Sequence, residues 1–123
     1  MDMTIYHNPA CGTSRKVLEL ITAAGIAPRV IAYLETPPTR AELEGLIRET
    51  GGSARHLLRE KEPLCAELGL SDLSLPDGAL VDAMLAHPVL MNRPVVVSPR
   101  GTALCRPADL VLPLLPPETT AQG

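Results

Sequence analysis

One cysteine in this chain stands among residues that can make it reactive. The stretch Tyr6-His7-Asn8-Pro9-Ala10-Cys11-Gly12-Thr13-Ser14-Arg15 follows a short apolar lead-in, Met3-Thr4-Ile5, and precedes Val17, Leu18, Ile21 and Ala24 at helical spacing, stopped by Gly25. Cys11 therefore falls on a strand-to-helix turn, at the start of a helix. The free N–H groups and positive dipole end there favour thiolate over thiol. Gly12 lets the backbone approach closely, and the Thr13 and Ser14 hydroxyls can donate to sulfur or to a bound anion. Arg15 and Lys16 add positive charge, and His7 contributes if it faces the sulfur. The plain alternative is a cysteine that merely packs, a common fate for this residue type. Polar residues on both sides of Cys11 argue against it.

The second feature is arginine. Nine of the eleven basic residues are Arg, at 15, 29, 40, 48, 55, 59, 93, 100 and 106. A guanidinium is the better fork for an oxyanion. Surface solubility accounts for Arg29, Arg40 and Arg48, and each arginine taken alone is as well explained by a surface ion pair.

Other chemistries fail on spacing. Cys11, Cys65 and Cys105 are far apart and His56 and His87 stand alone, so no metal site is expected. No phosphate-cradling loop of the Walker type is present. A cysteine phosphatase carries an arginine six positions after its nucleophile, where this chain has Val17. A dithiol motif needs a second cysteine three positions on, where Ser14 stands. Any redox cycle at Cys11 then needs an outside thiol, unless the fold brings Cys65 or Cys105 close. Those two read as a partly buried loop residue and a strand-end residue.

The elements that must position these residues come next. Residues 3–7 read as a first strand and Arg29–Tyr33 as a second, parallel to it across the helix. Leu34–Pro38 is a loop, because its prolines forbid helix. Thr39 with Glu42 is a capping-box signature, followed by Leu43, Leu46 and Ile47 on one helical face and Gly51-Gly52 as the stop. Ser53 is placed to cap a short helix carrying Leu57 and Leu58. A turn and short helix are expected around Pro63, and a longer helix over Asp77–Ala86 with Leu80, Val81, Met84 and Leu85 inward, closed by Pro88. Pro94-Val95-Val96-Val97 reads as a strand buried on both faces, Ser98–Gly101 as a turn, and Thr102–Cys105 as the return strand of a hairpin. Pro107 starts a final helix with Leu110, Val111 and Leu114 inward, short or irregular because of Pro113. The order βαβ, helices, β-hairpin, helix predicts an α/β thioredoxin-like fold: a mixed four-stranded sheet with a helical insert between its halves. Residues 1–116 are expected to form a single domain and residues 117–123 a disordered tail.

The 123 residues suffice for a real core, and 46% hydrophobic content supports a globular protein. Without Phe or Trp that core must be aliphatic. A net charge of −3 argues against nucleic acid as the main partner. No apolar run is long enough to span a membrane, and the N-terminus lacks a signal segment. Three widely spaced cysteines make no disulfide framework, which points to a reducing cytoplasm.

The residues His7 to Arg15 resemble the signature of the glutaredoxin-coupled arsenate reductases. The likeness continues through Tyr33–Arg40, Leu57-Leu58-Arg59, His87-Pro88, Asn92–Val97 and Leu104–Pro107, to about Pro116. The cysteine turn is moderately specific. Its combination with Arg59, Arg93 and Arg106 is more so, since it separates reductases from relatives of unknown activity. The resemblance implies that Cys11 is the nucleophile, that Arg59, Arg93 and Arg106 bind the oxyanion, and that His7 tunes the thiolate. Ser14 is grouped with the catalytic residues, and Gly12 and Thr13 with the oxyanion site. The implied reaction converts arsenate to arsenite through a thiol–arsenate adduct on Cys11. Glutathione serves as co-substrate, glutaredoxin as partner, and no cofactor is tightly bound. The fold also implies that the residue before Pro94 faces the cysteine and that this proline is often cis. The tail is shorter than in longer members, and Cys65 stands where some relatives are aromatic. Two other classes share the features: a glutathione-dependent thiol oxidoreductase that does not use arsenate, and a regulator of the Spx type that binds RNA polymerase. The second often carries a two-cysteine switch, against which Ser14 argues.

Overall fold

Four short strands carry the frame: β1 (Thr4–His7), β2 (Arg29–Ala32), β3 (Val95–Ser98) and β4 (Gly101–Leu104). They are seen in a computed structural model that describes residues 2–116; the tail expected to be disordered, 117–123, lies outside the described residues. The sheet order is β2-β1-β3-β4. β1 runs parallel to β2, with Thr4 opposite Arg29 and His7 opposite Ala32. β3 is antiparallel to β1, with Thr4 opposite Val97 and Tyr6 opposite Val95. β4 completes the hairpin, with Val95 opposite Leu104 and Ser98 opposite Gly101. The expected mixed four-stranded sheet is therefore present. The continuous valine run also has its reason: β3 is an inner strand, and Val95 and Val96 are fully buried. β2 lies at an edge, and Val30 is largely exposed.

The chain divides into two compact units. The first comprises residues 2–33 and 93–116, holding the whole sheet. Here α1 (Gly12–Ala23) buries Ser14, Val17 and Ile21 at i, i+3 and i+7. Gly25, at φ +83, takes the left-handed conformation that follows the helix end. Ile5, Val17, Ile21, Val96, Cys105 and Val111 meet in an aliphatic core. The last segment, Ala108–Leu114, is a 3₁₀ helix with Pro113 inside it. Three residues per turn put Val111 and Leu114 on one inward face, and leave Leu110 outside at 45% exposure, contrary to the expected α-helical face.

The second unit, residues 34–92, is the helical insert. In α2 (Arg40–Thr50) the capping box is complete: Thr39 Oγ1 accepts from Glu42 N–H at 3.2 Å and Glu42 Oε1 accepts from Thr39 N–H at 2.8 Å. Leu43, Leu46 and Ile47 are buried, and Gly51 and Gly52 both have positive φ beyond the last turn. α3 (Ala54–Leu57) starts after Ser53, but the Ser53 side chain makes no cap. Instead Asp77 Oδ2, at the start of α5 (Asp77–Ala86), accepts from Ala54 N–H at 3.1 Å. A carboxylate from a distant helix does what the local hydroxyl was expected to do. Between them α4 (Pro63–Glu67) has its proline at the helix start, where no donor is lost, and carries Cys65 fully buried on a helix rather than in a loop. Arg40 pairs with Asp82, joining α2 to α5.

Candidate active site

The strand registers decide where the site forms. β1 ends at His7, beside the start of β3 and the end of β4. The turn after β1, the residues before β3 and those after β4 thus share one end of the sheet. The hairpin ladder runs one step further, Cys105 N–H donating to Pro94 O at 2.9 Å. That step puts Arg93 and Arg106 side by side, and Arg106 Nη1 donates to Arg93 O at 3.1 Å. Both arginines precede cis prolines, Pro94 as the resemblance implied and Pro107 in addition.

Cys11 is half-buried and holds the N-cap position of α1. Its turn is closed by hydrogen bonds from Cys11 N–H to Asn8 O (3.0 Å) and from Ala10 N–H to Asn8 Oδ1 (2.9 Å). Asn8 and Pro9 form a turn-initiating pair ahead of the cysteine. Arg106 Nη1 lies 3.4 Å from Cys11 Sγ, and the Arg93 guanidinium also donates to that sulfur. Partial burial pushes the thiol pKa up. The Ser14 N–H, the guanidiniums of Arg93 and Arg106 and the Thr13 N–H more than offset this and lower it to about 7. The helix start therefore acts through its main chain. The thiol makes no standard side-chain cap bond, and the first-turn amides favour its ionised form.

The Ser14 hydroxyl goes elsewhere than expected. Ser14 is fully buried, and its Oγ sits 2.6 Å from His7 Nδ1 while accepting from Asn8 N–H at 3.1 Å. At the third position of the helix its side chain points back over β1, whereas its N–H points out of the helix start. So the amide of Ser14, not its hydroxyl, serves the sulfur. His7 is buried; desolvation first, and the Arg15 charge second, lower its pKa, which favours the neutral imidazole. Its hydrogen bond is to Ser14, and it acts on the turn that carries Cys11 rather than as a cation beside it.

Gly12 opens α1 and is exposed; a Cβ there would meet Arg15 Nη2 at an ordinary 3.7 Å. Arg59 belongs to the second unit, just past α3. Its N–H donates to Leu90 O at 2.7 Å, and its buried Nε lies 3.8 Å from Glu62 Oε2. Cys65 and Cys105 are wholly buried, and burial pushes the Cys105 thiol up to about 12. Among the described residues no group of three His, Cys, Asp or Glu side chains could hold a metal ion, and no helix is long and apolar enough to cross a membrane.

A family model described as the ArsC family matches residues 6–113, a span that contains every residue of this site. The chain belongs to the ArsC family. It is 58% identical over 116 residues to an arsenate reductase of Rhizobium meliloti (strain 1021), covering 94% of this chain and 83% of that protein. It is 56% identical over 115 residues to the arsenate reductase of Escherichia coli (strain K12), covering 94% and 82%. Among solved structures, an arsenate reductase from Vibrio cholerae superposes with a TM-score of 0.89 at 46% identity, covering 94% of this chain and 98% of that one. The ArsC fold is thus the thioredoxin-like one expected from element order.

Proposed function

We propose that this ArsC-family protein reduces arsenate to arsenite through an adduct on Cys11, with glutathione and glutaredoxin as electron donors. The observation that carries the proposal is the pair of guanidiniums on one half-exposed sulfur, with Arg106 Nη1 3.4 Å away and Arg93 on the same atom. Arsenate and a thiolate are both anions and repel one another. Two fixed cations at the sulfur lower that repulsion and stand ready for the charge that builds up in attack. The thiolate forms an As–S bond while an As–O bond breaks, the leaving oxygen departing as water once protonated. Glutathione attacks next: a second As–S bond forms as a second As–O bond breaks and water leaves, giving a mixed arsenic–sulfur species that takes up one water when arsenite is released. Two electrons then pass to arsenic as two sulfurs join in a disulfide. Arsenite leaves, and glutaredoxin reduces the disulfide and restores the thiol. Overall, arsenate and two thiols yield arsenite, one disulfide and one water. The buried state of Cys65 and Cys105 supports outside thiols as the donors. The family resemblance adds Arg59 as a third guanidinium for the oxyanion.

The test is NADPH consumption with arsenate, glutathione, glutathione reductase and glutaredoxin, wild type beside Cys11→Ser. Arsenate-dependent consumption that disappears in the variant is expected. A folded wild type that consumes no NADPH on arsenate addition sinks the reading.

A further inference from the structure

We infer that Arg15 is a positioning residue for Cys11: its guanidinium clamps the turn that presents the thiol, reaching back from the first turn of the following helix. Arg15 Nη1 donates to Pro9 O at 2.8 Å. The other bonds of the turn tie its base: Asn8 O and Oδ1 take the N–H groups of Cys11 and Ala10, and Cys11 O accepts from Arg15 N–H at 3.0 Å. Pro9 and Ala10 are exposed, so the tip has little packing to hold it. The Arg15 fork supplies a charge-assisted bond at that tip. It lies along Gly12, with Nη2 3.7 Å from where a Cβ would stand, and so bridges helix and tip over the residue next to the thiol.

Arg15 and the two arginines at the sulfur divide the work. Arg93 and Arg106 donate to Sγ itself. Arg15 holds the main chain that determines how far Sγ lies from those donors and from the amides of Thr13 and Ser14. The charged side chains at the thiol are Arg93 and Arg106, while the Arg15 guanidinium sits on Pro9 O and His7 is bonded to Ser14. Arg15 also helps keep that imidazole uncharged, second to burial. A merely structural clamp would affect melting. A positioning clamp affects the thiol.

The test compares wild type, Arg15→Ala and Arg15→Lys by the pH profile of iodoacetamide alkylation of Cys11, by steady-state arsenate reduction and by thermal unfolding. The alkylation midpoint of Arg15→Ala is expected to rise, and kcat to fall about tenfold while the arsenate KM stays within about twofold, as for a misplaced reacting group. Lysine keeps the charge without the planar fork, so Arg15→Lys is expected close to Arg15→Ala. A wild-type alkylation profile in Arg15→Ala, even with a lowered melting point, overturns the inference. So does full recovery by lysine, which would assign the effect to charge alone. The rate measurements rest on the arsenate reading. An inert wild type would remove that reading, while the alkylation profiles still decide the clamp.

Discussion

At the scale of single residues, the chemistry turns on how one sulfur is kept ionised. Burial raises the Cys11 pKa, and two amides and two guanidiniums bring it down to about 7, so the thiolate is well populated at neutral pH. Arg106 is bonded both to that sulfur and to the Arg93 carbonyl, so it orders its partner as well as the thiolate. Arg106→Ala is expected to shift the alkylation midpoint of Cys11 upward and to lower kcat/KM for arsenate by roughly 2–4 kcal/mol of transition-state stabilisation. Unchanged kcat/KM would return Arg106 to a structural role. Arg59→Ala is expected, on the arsenate reading, to weaken arsenate use in steady-state assays while leaving the alkylation profile of Cys11 in place.

At the scale of elements, helix starts do most of the local work, and they are capped in three different ways. α2 uses the reciprocal box of Thr39 and Glu42, legible three residues apart in the sequence. α1 starts at a cysteine whose ionised form its own first-turn amides favour. α3 borrows the Asp77 carboxylate from α5. The last arrangement separates two substitutions. Asp77→Ala is expected to lower unfolding free energy by about 1 kcal/mol in urea titration, the usual loss for a capping acceptor. Ser53→Ala is expected to change it by a few tenths at most, because its side chain caps nothing. The reverse order would restore Ser53 as the cap.

At the scale of the whole molecule, the site's ionisations are linked to folding. The folded Cys11 pKa, about 7, lies below the ordinary thiol value of 9.0. Between these values the unfolded chain binds more protons at this group, so stability rises with pH from about 7 to 9. Its contribution is fully present above the unfolded value and is lost as pH falls through the folded one. Cys11→Ser is expected to flatten that rise in melting temperature; an identical slope in the variant would remove the linkage. His7 acts at lower pH. Its folded pKa is depressed, so its contribution is present above the ordinary 6.5 and is lost as pH falls through the lower folded value.

Much of this protein is determined locally, and the sequence by itself carries that part. The Cys11 turn, the capping box at Thr39, the proline-broken loop, the buried valine strand and the hairpin depend on residues a few positions apart, so periodicity and turn chemistry reveal them. The helical face of Leu110 failed because Pro113 and the 3₁₀ pitch changed the period from 3.6 to 3.0. Ser14 stands out in the sequence beside Cys11, but the division between its amide and its hydroxyl does not. That depends on which way a helix start faces a strand seven residues back. Arg93 and Arg106 come to Cys11 only because β3 and β4 pair antiparallel in one register, placing the chain before one strand and after the other at the end of β1. A one-residue slip would turn their side chains to the opposite face. The residue types that make a reactive thiolate are thus written in the chain, and the sheet register decides that they meet.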